Sequence, residues 1–230
     1  MIWRAKVEMF ELVALHECDP KRVARFLTLN RERFRPYAPT RSEHYYTNSH
    51  WRAACKRSKI EWKEGRAYRF VVMHKNEEVI GKIDLDHIRR GPFSTGDFGY
   101  LLDRRHEGQS IMRRAMEEVL SMVFTDFKLN RVQAAIMPQN TRSSGLVKRL
   151  GFREIGLAER YLKLDGEWRD HILFELVARK TEAQAAEAKA PEEASQPTPA
   201  ETAPSEPVDA EIITDTPPAD GPEEETKETS

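Results

Sequence analysis

The sequence predicts a mixed α/β domain of the α+β kind. It would have a mostly antiparallel central sheet of about seven strands, flanked by about four helices, and then a disordered C-terminal tail. Two observations carry this. Stretches of strand and helix periodicity follow one another in the order β-α-α-β-β-β-α-β-α-β-β across residues 9–177. Composition then breaks. Residues 178–230 hold eight of the 13 prolines, and beyond alanine their only apolar residues are Val208, Ile212 and Ile213. Such a stretch cannot bury enough surface to offset its conformational entropy. The folding domain is therefore placed at 1–177 and the tail at 178–230.

The elements follow in order. Residues 9–16 are apolar enough for a first strand. Asp19-Pro20 reads as a helix N-cap with proline at the first helical position, ahead of a Val23, Phe26, Leu27 stripe. Residues 31–41, RERFRPYAPTR, are basic and broken by Pro36 and Pro39, and read as a loop. Ser49 is the expected cap of a second helix, with Trp51, Cys55, Ser58 and Trp62 on one face and Gly65 as its stop. Residues 68–72 are aromatic and β-branched. A polar turn leads to 79–88, where Ile83, Leu85 and His87 alternate with Lys82, Asp84 and Asp86. A strand near 97–102 precedes a helix from about Ser110 to Phe127, with Met112, Ala115, Met116, Val119 and Val123 at helical spacing. Residues 131–137 form a strand and 140–150 a helix stopped by Gly151. Two strands around an Asp165-Gly166 turn close the domain.

Charge follows the same division. The net charge of −1 hides a domain with 33 Lys/Arg against 24 Asp/Glu, and a tail with four against 14. A basic domain suggests an anionic partner: a phosphorylated cofactor, RNA or an acidic protein. No apolar run approaches 18 residues, which argues against a membrane span, and the first ten residues lack a signal-peptide core. Cys18 and Cys55 form no disulfide framework and no metal-ligand spacing, and reduced thiols point to the cytoplasm. Neither an HExxH motif nor a Walker loop is present, and no metal is expected.

Residues 99–112, GYLLDRRHEGQSIM, place a strand end, a glycine-containing loop and a helix start in sequence. Free backbone N–H groups and the helix dipole make such a junction suited to an anion, with Gly108 permitting close approach and Arg104 and Arg105 adding charge. An ordinary strand-to-helix turn fits the same residues. Residues 138–156 likewise read as an asparagine cap, a terminal glycine and a core phenylalanine, and only the two stretches together suggest more.

The loop Arg105-His106-Glu107-Gly108-Gln109-Ser110 resembles the (Arg/Gln)-x-x-Gly-x-(Gly/Ala) pyrophosphate loop of Gcn5-related N-acetyltransferases, the GNAT family. Asn140 through Gly151-Phe152 is similar to the family's second signature, whose asparagine contacts the coenzyme. Arg90-Gly91-Pro92-Phe93, the stretch from Met137 to Ser143 and the stretch from Asp165 to His171 resemble the RimJ type, the ribosomal-protein alanine N-acetyltransferases. The likeness runs from about Met9 to Val177. It implies acetyl-CoA lying where strands 98–102 and 131–137 splay apart. Backbone groups of Leu101 and Leu102 would pair with the pantetheine arm, N–H groups of Arg105, His106, Glu107, Gly108, Gln109 and Ser110 would hold the pyrophosphate, and Asn140 would contact the coenzyme. One residue departs from the pattern: Ser110 stands where the family prefers Gly or Ala. It keeps its N–H, is able to cap the helix, and brings a hydroxyl to the phosphate site.

The resemblance implies direct transfer of acetyl to a neutral amine, with no metal. The expected acceptor is a protein N-terminus, most simply the alanine of a ribosomal protein. Asp97 is the candidate base, and Ser143 the candidate acid or partner of the thiol sulfur. Tyr100 offers a second sulfur donor, or a core tyrosine. Asp170 would pair with an arginine, to shape the acceptor cleft or as a structural ion pair. Cys55 is a nucleophile only in principle. Phe34 and Tyr37 would line the acceptor side. Two alternatives stand. One is a small amine acceptor, a polyamine or aminoglycoside, which the basic domain disfavours but a cluster of Asp84, Asp86 and Asp97 would favour. The other is a non-catalytic module that contacts RNA or the ribosome through Arg31, Arg33, Arg35 and Arg41. The acidic tail would fold back on the basic face or simply aid solubility.

Overall fold

The computed structural model describes residues 4–7, 9–74 and 76–178. The tail expected over 178–230 lies outside these, except for Ala178, whose N–H donates to the Asn130 carbonyl at 2.8 Å. Among the described residues eight strands form one sheet: β1 (Arg4–Val7), β2 (Phe10–Ala14), β3 (Tyr68–His74), β4 (Val79–Arg89), β5 (Thr95–Leu102), β6 (Arg131–Ile136), β7 (Arg153–Leu164) and β8 (Glu167–Val177). Their order is β1-β2-β3-β4-β5-β6-β8-β7. Every neighbouring pair is antiparallel except β5 and β6. β1 is a short edge strand that the periodicity did not show.

Both faces of the sheet are covered. Phe70, Val72, Ile83 and Leu85 point to one face, where they pack with Met112, Ala115, Met116, Val119 and Val123 of helix α4 (Ile111–Thr125). Val71 and Met73 point to the other, against helices α1 (Pro20–Leu29) and α3 (Asn48–Lys63). Two-sided burial is why β3 reads as a continuous apolar run. Helix α5 (Thr141–Arg149) joins the first cluster through buried Val147, and Phe152 follows it into the core.

Most of the local chemistry acts as read. Asp19 caps α1 by accepting from the Lys21 N–H at 2.9 Å, with Pro20 at the first helical position. Gly65 ends α3 at φ +66, and Gly151 ends α5 at φ +88. Four details differ. Thr47, not Ser49, caps α3, accepting from the His50 N–H at 3.3 Å. Ser110 makes no capping hydrogen bond and sits at φ +58, ψ 10, in the left-handed region. His87 leaves the alternation of β4: it lies at φ +49 within a register shift and is exposed. Residues 31–41 are more than a loop. One helical turn, α2 (Arg31–Phe34), runs into a 3-10 turn at Arg35–Tyr37, and a second 3-10 turn follows at Glu43–Tyr46.

β8 is held on both sides. Buried Glu175 pairs with Arg131 of β6 at 3.3 Å and with Arg153 of β7, so one carboxylate joins three strands.

Candidate active site

β5 and β6 run parallel, yet only three residue pairs are in register: Thr95 with Arg131, Gly96 with Val132 and Asp97 with Gln133. Beyond Asp97 the strands diverge. β5 stays paired with β4 as far as Leu102, and β6 stays paired with β8 as far as Ile136. A cavity of about 380 Å³ occupies the divergence. Phe98 to Leu102 wall one side, Ala134 to Met137 the other, and Asn140, Arg142 and Ser143 of the α5 start close one end. Phe34, Tyr37 and Pro39 line it from the 31–41 segment, as expected for the aromatic pair. A second cavity of about 390 Å³ lies under residues 31–46 and shares the wall formed by Asp84 and Leu101.

The loop leaving β5 is anchored before it reaches the helix. Buried Asp103 accepts from the Arg105 N–H at 2.8 Å, from Arg105 Nη2 at 2.8 Å and from Asn30 Nδ2 at 3.2 Å. Burial alone would raise its carboxyl. The Arg105 guanidinium, the Arg105 N–H and Asn30 outweigh that and hold it down at about 2. The anchor also narrows the expected anion site. The N–H groups of Arg105, His106 and Glu107 are engaged, with Asp103 Oδ1, the Asp103 carbonyl and the Arg104 carbonyl in turn. The Arg105 charge is likewise engaged with Asp103. Among the described hydrogen bonds none involves the N–H of Gly108, Gln109 or Ser110. These three, with the first turn of α4, are the donors left for a phosphate. At Gly108, φ +76, an added Cβ would meet nothing within 4 Å.

Asn140, a residue of the cavity wall, accepts from the Ser143 N–H at 3.2 Å through its Oδ1. Tyr100 donates to the Ser143 carbonyl at 3.2 Å and so ties β5 to α5 across the divergence. Burial pushes its hydroxyl up to about 12, keeping it a donor at neutral pH. Leu101, Leu102, Glu107, Asn140 and Ser143 thus come together on the cavity wall, with Arg105, His106, Gly108, Gln109 and Ser110 on the adjoining loop. Asp97 does not join them. It lies outside the lining, with its carboxylate 3.2 Å from His87 Nδ1.

Asp170 accepts from the Arg160 backbone N–H at 2.7 Å, where β7 bulges, rather than from a guanidinium. Cys55 is buried against the Leu15 carbonyl, and burial pushes its thiol up to about 11, the wrong direction for a nucleophile. The basic run is largely neutralised. Arg31 pairs with Glu43, Arg33 with Glu107 and Arg35 with Asp165, while Arg41 stacks on Tyr45.

Two features escaped the sequence, and Asp84, expected in an acidic cluster with Asp86 and Asp97, is on the cavity wall without them. Glu107 bridges Arg33 (3.1 Å) and Arg142, joining three separate elements beside the cavity. His171 is buried on the cavity wall, its Nδ1 donating to the Arg169 carbonyl at 3.0 Å. Asp84 lies where the two cavities meet. Strand alternation would have placed His171 and Asp84 on faces, but nothing local marks those faces as cavity.

A parallel pair that parts after three residues, above a helix N-terminus with open donors, defines a coenzyme-binding acyltransferase architecture. A model of the acetyltransferase (GNAT) domain matches residues 8–153. The chain belongs to the GNAT family and is an N-acetyltransferase. It is RimJ-like. It is 32% identical over 163 residues to the ribosomal protein uS5-alanine N-acetyltransferase of Escherichia coli K12, covering 70% of this chain and 84% of that one. The ribosomal-protein-S5-alanine acetyltransferase structure from Vibrio fischeri matches with a TM-score of 0.74 and 32% identity, over 76% of this chain and 96% of that chain. Mycobacterium smegmatis RimJ, solved in complex with CoA-disulfide, matches with a TM-score of 0.69 and 26% identity, over 77% and 87%. Among the described residues no helix is long and apolar enough to cross a membrane.

Proposed function

We propose that this enzyme transfers acetyl from acetyl-CoA to the N-terminal amine of a protein, most simply an alanine on a ribosomal protein. The observation that carries the acceptor is the 32% identity across 84% of the Escherichia coli uS5-alanine enzyme. The site supports the cosubstrate. Main-chain groups of Leu101 and Leu102 would pair with an extended pantetheine arm, a reading supported by the lack of a β6 partner for β5 beyond Asp97. The N–H groups of Gly108, Gln109 and Ser110 and the α4 dipole suit a pyrophosphate. Asn140 and Ser143 line the region between, where Asn140 would contact the coenzyme and Ser143 would serve the departing sulfur. When bound, acetyl-CoA supplies the activated acetyl group. The protein's task is to align an amine with it and to move the proton.

The pairing of Arg31, Arg33 and Arg35 with acids weighs against the RNA-binding alternative. Of the three acids that would favour a polyamine, only Asp84 reaches the cavity.

Calorimetric titration of the full chain with acetyl-CoA, then mass spectrometry of peptides beginning with alanine, serine or methionine, tests the proposal. Micromolar coenzyme binding with acetylation of the alanine peptide is expected. Coenzyme binding with turnover of spermidine alone would replace the acceptor. No binding at millimolar coenzyme would overturn the proposal.

A further inference from the structure

His171, Tyr100 and Asp84 are titratable side chains that strands of the sheet bring to the cavity, and of these only Asp84 is a carboxylate. Asp84 lies in β4, opposite Gly99 of β5. A side chain at 99 would stand over it, and a Cβ built there meets nothing within 4 Å, so the space above the carboxylate is open. Asp84 faces both cavities and forms their common wall with Leu101. One cavity follows the β5–β6 divergence; the other is roofed by residues 31–46.

The carboxylate is held but not satisfied. Lys82, itself buried, pairs with Oδ2. Oδ1 is shielded from water and has no hydrogen-bond partner. An ionised oxygen in that condition carries a desolvation penalty that a donor would relieve. Asp84 lines both cavities, from which such a donor would approach. The neighbouring charges do not fill this role. Asp86 pairs with Arg69 at 2.6 Å, and Asp97, two residue pairs further along, faces His87. Around the second cavity Arg31 is paired with Glu43 and Arg35 with Asp165, so Asp84, common to both cavities, offers an entering ammonium group a counter-charge next to the thioester region.

We infer that Asp84 receives the ammonium group of the acceptor, which enters from the cavity under residues 31–46, and takes up its proton. The inference rests on the acetyl-transfer reading above. The ammonium N–H bond breaks and its proton passes to a carboxylate oxygen of Asp84. The freed lone pair forms the bond from nitrogen to the acetyl carbon. The carbon–sulfur bond breaks, the extra proton on the acetylated nitrogen passes to the departing thiolate, and Asp84 then gives its own proton to solvent.

The test uses the full chain, its Asp84→Asn variant and its Asp84→Glu variant, with acetyl-CoA and a six-residue peptide beginning with alanine. Asp84→Asn is expected to lower kcat/KM at least about 100-fold, the usual scale of a positioned base. Acetyl-CoA affinity should stay within about twofold, and Asp84→Glu should recover part of the rate. A binding measurement covers a variant that loses rate by distortion. Wild-type protein should bind the alanine peptide at least about tenfold more tightly than the same peptide with a propanoyl group in place of alanine, and Asp84→Asn should lose that preference. Turnover by Asp84→Asn within threefold of wild type, or an unchanged preference for the amine, overturns this inference alone. A wild-type protein that does not bind acetyl-CoA overturns the acetyl-transfer reading and this inference with it.

Discussion

Replacing Asp103 with asparagine should destabilise the domain in a way that pH reveals. Asp103 is buried and receives donors from Arg105 and Asn30, which bring its carboxyl from the ordinary 3.8 down to about 2. A group depressed on folding stabilises the native state above its unfolded pKa, and that contribution is lost as pH falls through the folded one. The difference corresponds to about 2 kcal/mol at pH 7, of which about half is gone at pH 3. Asp103→Asn removes the charge and leaves donors facing an amide. At pH 7 its unfolding free energy should fall by about 2 kcal/mol, and its Tm by roughly 4–8 °C. The gap to wild type should narrow to about 1 kcal/mol at pH 3. Urea unfolding followed by tryptophan fluorescence at pH 7, 5, 4 and 3 gives both numbers. A gap that is absent at pH 7, or that stays constant down to pH 3, would refute the assignment of the shift to the Arg105 and Asn30 contacts.

Two further outcomes follow from the same structure. Ser110→Gly should raise stability by about 0.5 kcal/mol, because relief of a left-handed serine slightly exceeds the entropy cost of glycine and no capping bond is lost; a differential scan showing a fall in Tm would contradict the conformation at φ +58. Cys55 should resist iodoacetamide at pH 8 in the native protein and react readily in urea, since burial pushes its thiol up to about 11; peptide mapping that finds equal labelling in both states would overturn the buried assignment.

Much of this molecule was legible because its turns are chemically explicit. Asp19-Pro20, Gly65, Asn140 and Gly151 do locally what their side chains or conformational freedom demand. The choice between Thr47 and Ser49 as cap was not, because two hydroxyls sit two residues apart and packing of Trp51 decides where the helix enters. Pro36 and Pro39 signalled a broken segment, but Arg33 and Arg35 just ahead of them pair with Glu107 and Asp165 far along the chain, and no local pattern shows those pairings. The site was readable as motifs on one loop and one helix. Its divergence was not, because the end of β5–β6 pairing depends on which strands lie on either side. Asp84 was legible only as one of an acidic cluster; its separate place on the cavity wall depends on the opposite residue being Gly99 and the neighbour a buried lysine.

The placement of β8 has a consequence for how the chain is made. β8, the last strand of the domain, lies between β6 and β7 rather than on the sheet's rim. During synthesis, residues 131–136 emerge well before their partners at 172–177. Until those arrive, one edge of β6 is an open template for other strands, and Glu175 is missing from Arg131 and Arg153. The β7–β8 hairpin must therefore dock as a unit, late and by non-local contacts. Shortening the domain from its C-terminal end by even a few residues would remove an interior strand, not a fringe. Expression boundaries should be set downstream of Ala178, whose N–H still belongs to the fold.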